Sequence, residues 1–307
     1  MDFTDVSLTA LRVFRAVAEQ GTFTAAAGAL GYTQSAVSRQ IASLEKLAGA
    51  ELLERHREGI KLTAAGHLVL RRATAVLEQI EVTARELSGL PAQAATVRVG
   101  WFPSAGAALL PKAIAALRRT HPGIAVVSRE GSTPALVRAL RAGSVDLALL
   151  ASAPPFRPPD TESPALVLHT LTERSLCIAL PANHPLARGD YIDVADLHGQ
   201  QWIAGPNTSD DRLMGVWPGL DERPEIAHTA RDWLAKLQLV AAGCGLTTIP
   251  AVLAPAVLPG VRALPVRGGP QEQRRLLLAH LPSPLGEAAA RTAEAVRAAA
   301  IELHGPQ

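Results

Sequence analysis

The stretch GTFTAAAGALGYTQSAVSRQIASLEKLAG, from Gly21 to Gly49, constrains this chain more than any other. It holds two short helical patterns separated by a turn, the first nearly all alanine and the second rich in Gln, Ser and Arg at its start. With Thr33 as N-cap, Val37, Ile41, Leu44 and Ala48 fall on one face of a helical wheel. Ser35, Arg39, Ala42 and Lys46 fall opposite, with Gln34 and Ser38 at the edge of the first turns. Alanine side chains let a second helix cross closely and steeply, as in a helix-turn-helix. The first turn of the second helix then offers groups suited to a DNA major groove: Arg for a guanine edge, Gln for adenine, Ser for a base or a phosphate. On the wheel alone, an ordinary amphipathic helix with a solvated face reads equally well. Charge does not decide between the two. From Thr33 to Thr63 there are five basic residues (Arg39, Lys46, Arg55, Arg57, Lys61) and four acids (Glu45, Glu51, Glu54, Glu58).

Three zones follow from the patterning. In the first, about residues 1–63, Ser7 caps a helix through Leu8, Leu11, Phe14, Val17 and Ala18 that Gly21 ends. After the two helices, LLERHREGIKLT reads as two short strands, Leu52 to Arg55 and Ile60 to Leu62, turning at Glu58-Gly59 to make a small wing. The second zone, 64–90, is one long helix capped by Thr63, roughly 40 Å long at the α-helical rise. Val69, Ala73, Val76, Ile80, Thr83 and Leu87 follow heptad spacing and fit a partner helix; packing on its own chain is the alternative. The third zone, 91–307, alternates strands and helices as β-α-β-α-β and predicts a parallel sheet with helices on its faces. A Pro-rich passage, SAPPFRPPDTESP, interrupts it. LVLHTL, SLCIAL, QQWIAG and LTTI read as further strands, with late strands at Val261–Leu264 and Leu276–Leu281. Two α/β lobes are expected, lobe I about 92–165 and 266–307 and lobe II about 166–265, with crossings near Leu166 and Pro265.

The 307 residues carry a formal net charge of only +2, which argues neither for nor against an acidic partner. The two cysteines, Cys177 and Cys244, stand in no C-x-x-C, and the nine histidines are not at metal-ligand spacing. GCG at 243–245 opens no helix after a strand, and no G-x-S-x-G occurs, so neither a dinucleotide cofactor nor a serine nucleophile is expected. With no metal, no cofactor, no catalytic constellation and no membrane-spanning run, the expectation is a cytoplasmic protein that is not an enzyme.

The order of residues from Leu11 to Gly66, LRVFRAVAEQGTFTAAAGALGYTQSAVSRQIASLEKLAGAELLERHREGIKLTAAG, resembles the N-terminal domain of LysR-type transcriptional regulators. HPLA at 184–187 and AAGCGLTTIPAVLA at 241–254 extend the resemblance to that family's effector domain. The departures are Thr22 for the commoner Ser, Ser35 for Pro and Leu53 for Phe; Ser35 bears on base preference. The resemblance implies an α/β multi-domain fold: a winged helix-turn-helix, a long dimerising linker helix, and a two-lobed domain like a type 2 periplasmic binding protein. It implies groove contacts from Gln34, Ser35, Ser38 and Arg39, and phosphate contacts from Thr22, Thr33 and Arg55. The implied partners are double-stranded DNA, a small-molecule effector, a second copy of the chain in a dimer or tetramer, and RNA polymerase if the protein activates. Four segments fall where an α/β cleft binds ligands: WFPSAG, EGSTP, GPNTSDD and GCGLTTIP. Ser104, Ser132, Thr133, Asn207, Thr208, Ser209 and Thr247 offer polar groups to an acidic effector, and Trp101 and Phe102 an apolar wall or, alternatively, core packing. A solute-binding protein using the lobes alone, and a thiol-redox version of the same regulator, are the rival readings.

Overall fold

The computed structural model describes residues 3–56, 59–87, 95–205, 214–220, 222–269 and 272–303. A short 3-10 helix, Phe3–Asp5, leads into α1 (Leu8–Gln20). Ser7 Oγ accepts the Ala10 N–H at 3.1 Å, and Gly21 closes α1 in the left-handed region that side chains disfavour. Next come α2 (Phe23–Leu30) and α3 (Gln34–Ala48), capped by Thr22 and Thr33. Phe14, Val17, Ala26, Val37, Ile41 and Leu44 are buried where the three helices meet. Full burial of a Leu or Phe side chain is worth about 1.5–3 kcal/mol, so this small core carries the unit. The wing consists of β1 (Leu53–His56) and β2 (Gly59–Leu62), antiparallel, with Arg55 opposite Ile60. The Ile60 N–H donates to Gly21 O at 2.9 Å, and a Cβ at Gly59 would come within 2.9 Å of that oxygen. The wing therefore rests directly on the end of α1.

The linker helix α4 (Ala64–Leu87) starts as expected: Thr63 Oγ1 accepts the Gly66 N–H at 2.9 Å and donates to Glu51 O at 2.7 Å. The heptad seam divides. Leu70, Ala73 and Leu77 are buried in the core of the helix-turn-helix, with Val69 packed partly against it. Val76, Ile80, Thr83 and Leu87 are exposed along the outer half. Own-chain packing holds the first part of α4 and leaves an open apolar seam on the second.

The effector domain begins with β3 (Ala95–Trp101), α5 (Pro103–Ala108), α6 (Leu110–Thr120), β4 (Ile124–Glu130), α7 (Thr133–Arg141) and β5 (Leu147–Ser152). The helix expected over Ala107–Arg119 is two helices, because Pro111 lacks the N–H that would continue α5. There follow β6 (Val167–Pro181), β7 (Ile192–Asp193), β8 (Gln201–Ala204), β9 (Glu225–Thr229), α8 (Trp233–Ala241), β10 (Thr247–Pro250), β11 (Val261–Arg267), β12 (Gln273–His280) and α9 (Glu287–Glu302). The main sheet runs β4-β3-β5-β12-β6-β11-β7, with β10 also on β6, and β8 pairs with β9 separately.

LVLHTL and SLCIAL, read as two strands, are the ends of the single strand β6. The polar Thr172-Glu173-Arg174 between them continues the pairing with β12. From Val167 to Ser175 the strand pairs with β12, and from Leu176 on with β10 and β11. The passage between lobes thus lies at Ser175–Leu176, where the sequence places it near Leu166.

Strand direction fixes where a cleft lies. In lobe I, β6 runs toward the junction, β12 antiparallel to it runs away, and β5 antiparallel to β12 runs toward it again. β3 and β4 lie parallel to β5 and β3, so they also end at the junction. In lobe II, β10 is antiparallel to β6 and therefore runs back toward the junction, ending at Pro250 opposite Leu176. β8 is parallel to that direction through the Trp202–Leu246 bridge, and β9 is parallel to β8. The carboxyl ends of β3, β4, β5, β8, β9 and β10 all face one crevice, the place where open α/β sheets bind ligands.

Candidate nucleic-acid interface and effector cleft

Gln34, Ser35 and Arg39 are exposed on the first turns of α3, and Ser38 is half-buried beside them. Thr33 Oγ1 accepts the Ala36 N–H at 3.2 Å and lies 3.1 Å from Ser35 Oγ. Thr22 Oγ1 accepts the Ala25 N–H at 3.1 Å. A capping hydroxyl uses an acceptor lone pair and keeps its proton, so an exposed cap can still donate to a phosphate oxygen. The first acid along α3 is engaged elsewhere. Glu45 Oε1 accepts the N–H groups of Leu52 at 2.8 Å and Leu53 at 3.2 Å, so the carboxylate closes the start of the wing. Glu54 lies 3.2 Å from His56 Nε2. Arg55 occupies β1; its side chain lies outside the described residues.

The helix-turn-helix docks on α7 of the same chain. Arg138 Nε donates to Glu19 O at 3.1 Å, Arg129 Nη1 to Glu19 Oε2 at 3.3 Å, and Thr74 Oγ1 to Ala142 O at 2.9 Å. Ala142 belongs to the core of the helix-turn-helix. Arg138 thus places a cation at the C-terminal end of α1, where the helix dipole favours it. These contacts join residues far apart in sequence, and no local pattern announces them.

At the other end of α7, Ser132 Oγ accepts the Ala135 N–H and Thr133 Oγ1 lies 3.3 Å from both Ala151 O and Ala151 N. Gly131 N–H donates to Trp101 O at 2.9 Å, which brings the segments after β3 and β4 together. Trp101 and Phe102 pack against the lobe I core, yet Trp101 Nε1 is buried without a hydrogen-bond partner. A Cβ at Gly106 would lie 2.1 Å from the Trp101 ring, so the ring sits flush on α5. Ser104 is buried on α5, and α5 meets the 3-10 helix Ala251–Ala256 of lobe II across the crevice. Thr247 is fully buried, and its hydroxyl donates to Ile203 O at 2.9 Å and Gly215 O at 3.2 Å inside lobe II. Asn207, Thr208 and Ser209 lie outside the described residues. A hollow of about 790 Å³ opens at the opposite, amino end of β3 and β4, beside the bidentate Arg98–Asp146 pair. The convergence of strand ends and helix N-termini makes the crevice the better ligand site.

Two family descriptions cover nearly all of this architecture. Residues 8–67 match the bacterial regulatory helix-turn-helix protein, lysR family, and residues 92–300 match the LysR substrate binding domain. The chain belongs to the LysR family. It is a DNA-binding transcriptional regulator with an effector-binding domain. Relatives within the LysR family include the HTH-type transcriptional regulator TtuA of Agrobacterium vitis, 31% identical over 266 residues, 85% of this chain and 86% of TtuA. The DNA-binding transcriptional dual regulator OxyR of Escherichia coli (strain K12) is 30% identical over 292 residues, 92% of each chain. Full-length CbnR in complex with its target DNA shares the fold with a TM-score of 0.52 and 25% identity, over 96% of this chain and 99% of CbnR. Among the described residues no cluster of His, Cys, Asp and Glu is placed to hold a metal ion, and no helix is long and apolar enough to cross a membrane.

Proposed function

We propose that α3 enters the major groove of an operator with Gln34, Ser35, Ser38 and Arg39 toward the bases. Thr22, Thr33 and Arg55 hold the phosphates on either side. The observation that carries this reading is the first turn of α3, open and polar, with its neighbouring carboxylate Glu45 folded into the wing. The exposed seam Val76, Ile80, Thr83 and Leu87 fits a second copy of α4, so the working unit is a dimer, or a tetramer when effector domains also pair. Half-sites then follow the two-fold symmetry of the protein. As an activator the protein would also meet RNA polymerase, and its place of action is the cytoplasm.

The effector in this reading is a small acid bound between the lobes, with Ser104, Ser132 and Thr133 as polar contacts, Trp101 and Phe102 as the apolar wall, and Asn207, Thr208 and Ser209 as further polar groups; Thr247, whose hydroxyl is bonded inside lobe II, drops out of the contact set. Helix α7 links the two functions, since its N-terminus lies at the crevice and its C-terminal half holds α1 and α4. An effector that binds one lobe arrangement more tightly shifts the helix-turn-helix only by that difference in affinity. A thiol switch is disfavoured by Cys177, which lies in β6 between β10 and β11 with its thiol pushed up to about 11 by burial.

The test is binding of the full chain to its own upstream intergenic DNA across a salt series, beside a scrambled duplex of equal length. Tight, salt-dependent binding to the first alone is expected. Equal weak binding to both, with no preferred sequence in a genome-wide selection, would overturn the reading.

A further inference from the structure

The contact between the helix-turn-helix and α7 has the make-up of a joint that opens. The bonds across it are polar: Arg138 to Glu19 O, Arg129 to the Glu19 carboxylate, Thr74 to Ala142 O. Between the wing and α7 lies a hollow of about 160 Å³, lined by Ala18 and Ile60 on one side and Val137, Arg138 and Glu162 on the other. A packed core leaves few voids of that size. Glu162 Oε2 is buried there and, among the described residues, has no hydrogen bond; His67 Nε2 stands 3.4 Å away and Arg141 Nε 3.8 Å. Leaving a buried acceptor without a donor is costly, and opening the joint returns it to water. Domain contacts within one chain move unless they are large and apolar.

What the joint covers is a negative charge beside the DNA-binding surface. The Glu19 carboxylate is 15% exposed, with Arg129 Nη1 3.3 Å and Arg15 Nε 3.9 Å from its oxygens. Arg15 is shared with Glu81 at 3.5 Å, whereas Arg129 and Arg138 come from the effector domain. Arg138 lies against Gly21: a Cβ there would come within 3.3 Å of its Cδ and Nε. Glu19 stands three residues before Thr22, the cap of α2. Three residues of chain span at most about 11 Å, close to the screening length of about 10 Å at 0.1 M salt. A bare carboxylate at Glu19 therefore repels a phosphate held at Thr22. The joint itself leaves Gln34, Ser35 and Arg39 exposed, so closing it does not cover the base-reading surface.

We propose that this joint is an electrostatic switch on DNA binding: closed, Arg129 and Arg138 of the effector domain cover the Glu19 carboxylate, and open, that carboxylate is bared beside the phosphate-contacting end of α2. This rests on the reading of Thr22 as a phosphate contact and gives the effector domain a direct hold on its strength. The lever is α7, nine residues and roughly 13 Å long at the helical rise. Its start stands at the crevice, where Thr133 Oγ1 lies 3.3 Å from Ala151, and its far half carries Arg138 and Ala142 into the joint. An effector that draws α7 off α1 weakens DNA binding by charge, without touching the recognition helix.

The experiment measures binding of the full chain to a duplex selected by the wild type, at low and at high salt. Arg129→Ala and Arg138→Ala are each compared alone and combined with Glu19→Gln. Each arginine variant should bind about fivefold more weakly at low salt, the difference should shrink at high salt, and Glu19→Gln should restore the affinity. A second arm locks the joint with Thr74→Cys and Gly143→Cys, since a Cβ at Gly143 would stand 3.6 Å from Thr74 Cβ, within the range a disulfide spans. The oxidised lock should bind at least as tightly as its reduced form, with wild type under the same oxidant as the control for Cys177 and Cys244. A loss that Glu19→Gln does not restore, or no loss at all, would overturn the switch and leave the phosphate reading of Thr22 standing. An oxidised lock that binds more weakly than the reduced one, or a pair that never cross-links, would overturn it as well. Wild-type binding that does not respond to salt would overturn both.

Discussion

Gln34, Ser35 and Arg39 stand in water on the first turns of α3, whereas Arg141 and Lys236 are the only charged side chains buried among the described residues. The two sets do different physical work. In the proposed reading the exposed groups contribute little until DNA arrives, and salt then screens what they contribute. The buried cations act on the free protein, and they differ from each other. Arg141 is fully engaged: it donates to both Asp160 oxygens at 2.9 and 3.1 Å, to Pro164 O at 2.7 Å and to Glu162 O at 3.1 Å. Lys236 lies over the Trp233 ring, 5.2 Å from Nζ to the ring centre. A satisfied buried charge such as Arg141 holds a fold together. Polarity on the proposed DNA side is therefore read from what is displayed, and polarity around Arg141 from what the fold engages.

The largest expected effect lies with Arg141. Arg141→Ala leaves Asp160 without its partner and strips the Glu162–Pro164 segment of its donor, which should cost about 3–5 kcal/mol of stability. Urea unfolding followed by circular dichroism reads this as a lowered midpoint. A loss well under that size would place Arg141 with the exposed charges. On the displayed side, Arg39→Ala should weaken operator binding by about 1–3 kcal/mol and leave the unfolding midpoint unchanged. Thr33→Ala should cost roughly 1 kcal/mol through the lost cap, seen as faster amide exchange in the first turn of α3, and should also weaken DNA binding.

The smallest effect is on pH. Burial lowers the pKa of His67, with Arg141 and Arg71 adding to it and Glu162 opposing, and burial likewise lowers His169 and His184. A histidine whose folded pKa lies below its unfolded value takes up its proton more readily when unfolded. Stability should therefore be unaffected well above about pH 6.5 and should fall as pH drops through and below it. His67→Asn should flatten part of that fall. A chain more stable in mild acid than at neutrality would contradict the sign.

The DNA-binding unit was largely legible in the sequence because its information is local. Ser7, Thr33 and Thr63 each cap the helix that their position announces, and the apolar period of α3 marks Val37, Ile41 and Leu44 for the core. The effector domain was legible in the alternation of strands and helices that opens it, and less so beyond β5. The polar centre of β6 hid one long strand, because the pairing that sustains it comes from β12, about a hundred residues later. The start of the α4 seam, Val69 and Ala73, is taken by the chain's own core, which spacing cannot distinguish from a partner helix. Thr247 reads as a cleft hydroxyl, and only the fold shows that hydroxyl bonded to two carbonyls inside lobe II. Lys236 looks like any surface lysine in the string WLAKLQLVA; it is buried where α8 packs against β6, β8 and β11.

The claim that the first turn of α3 reads bases is tested most directly by selecting bound duplexes from a random pool with the wild type and with Arg39→Ala, at one fixed salt concentration. The account predicts a two-fold symmetric motif for the wild type. In the variant, preference should relax at one base pair of each half-site while the rest of the motif persists. An identical motif and identical affinity for both proteins would contradict it, and would leave α3 as a structural helix with a solvated face.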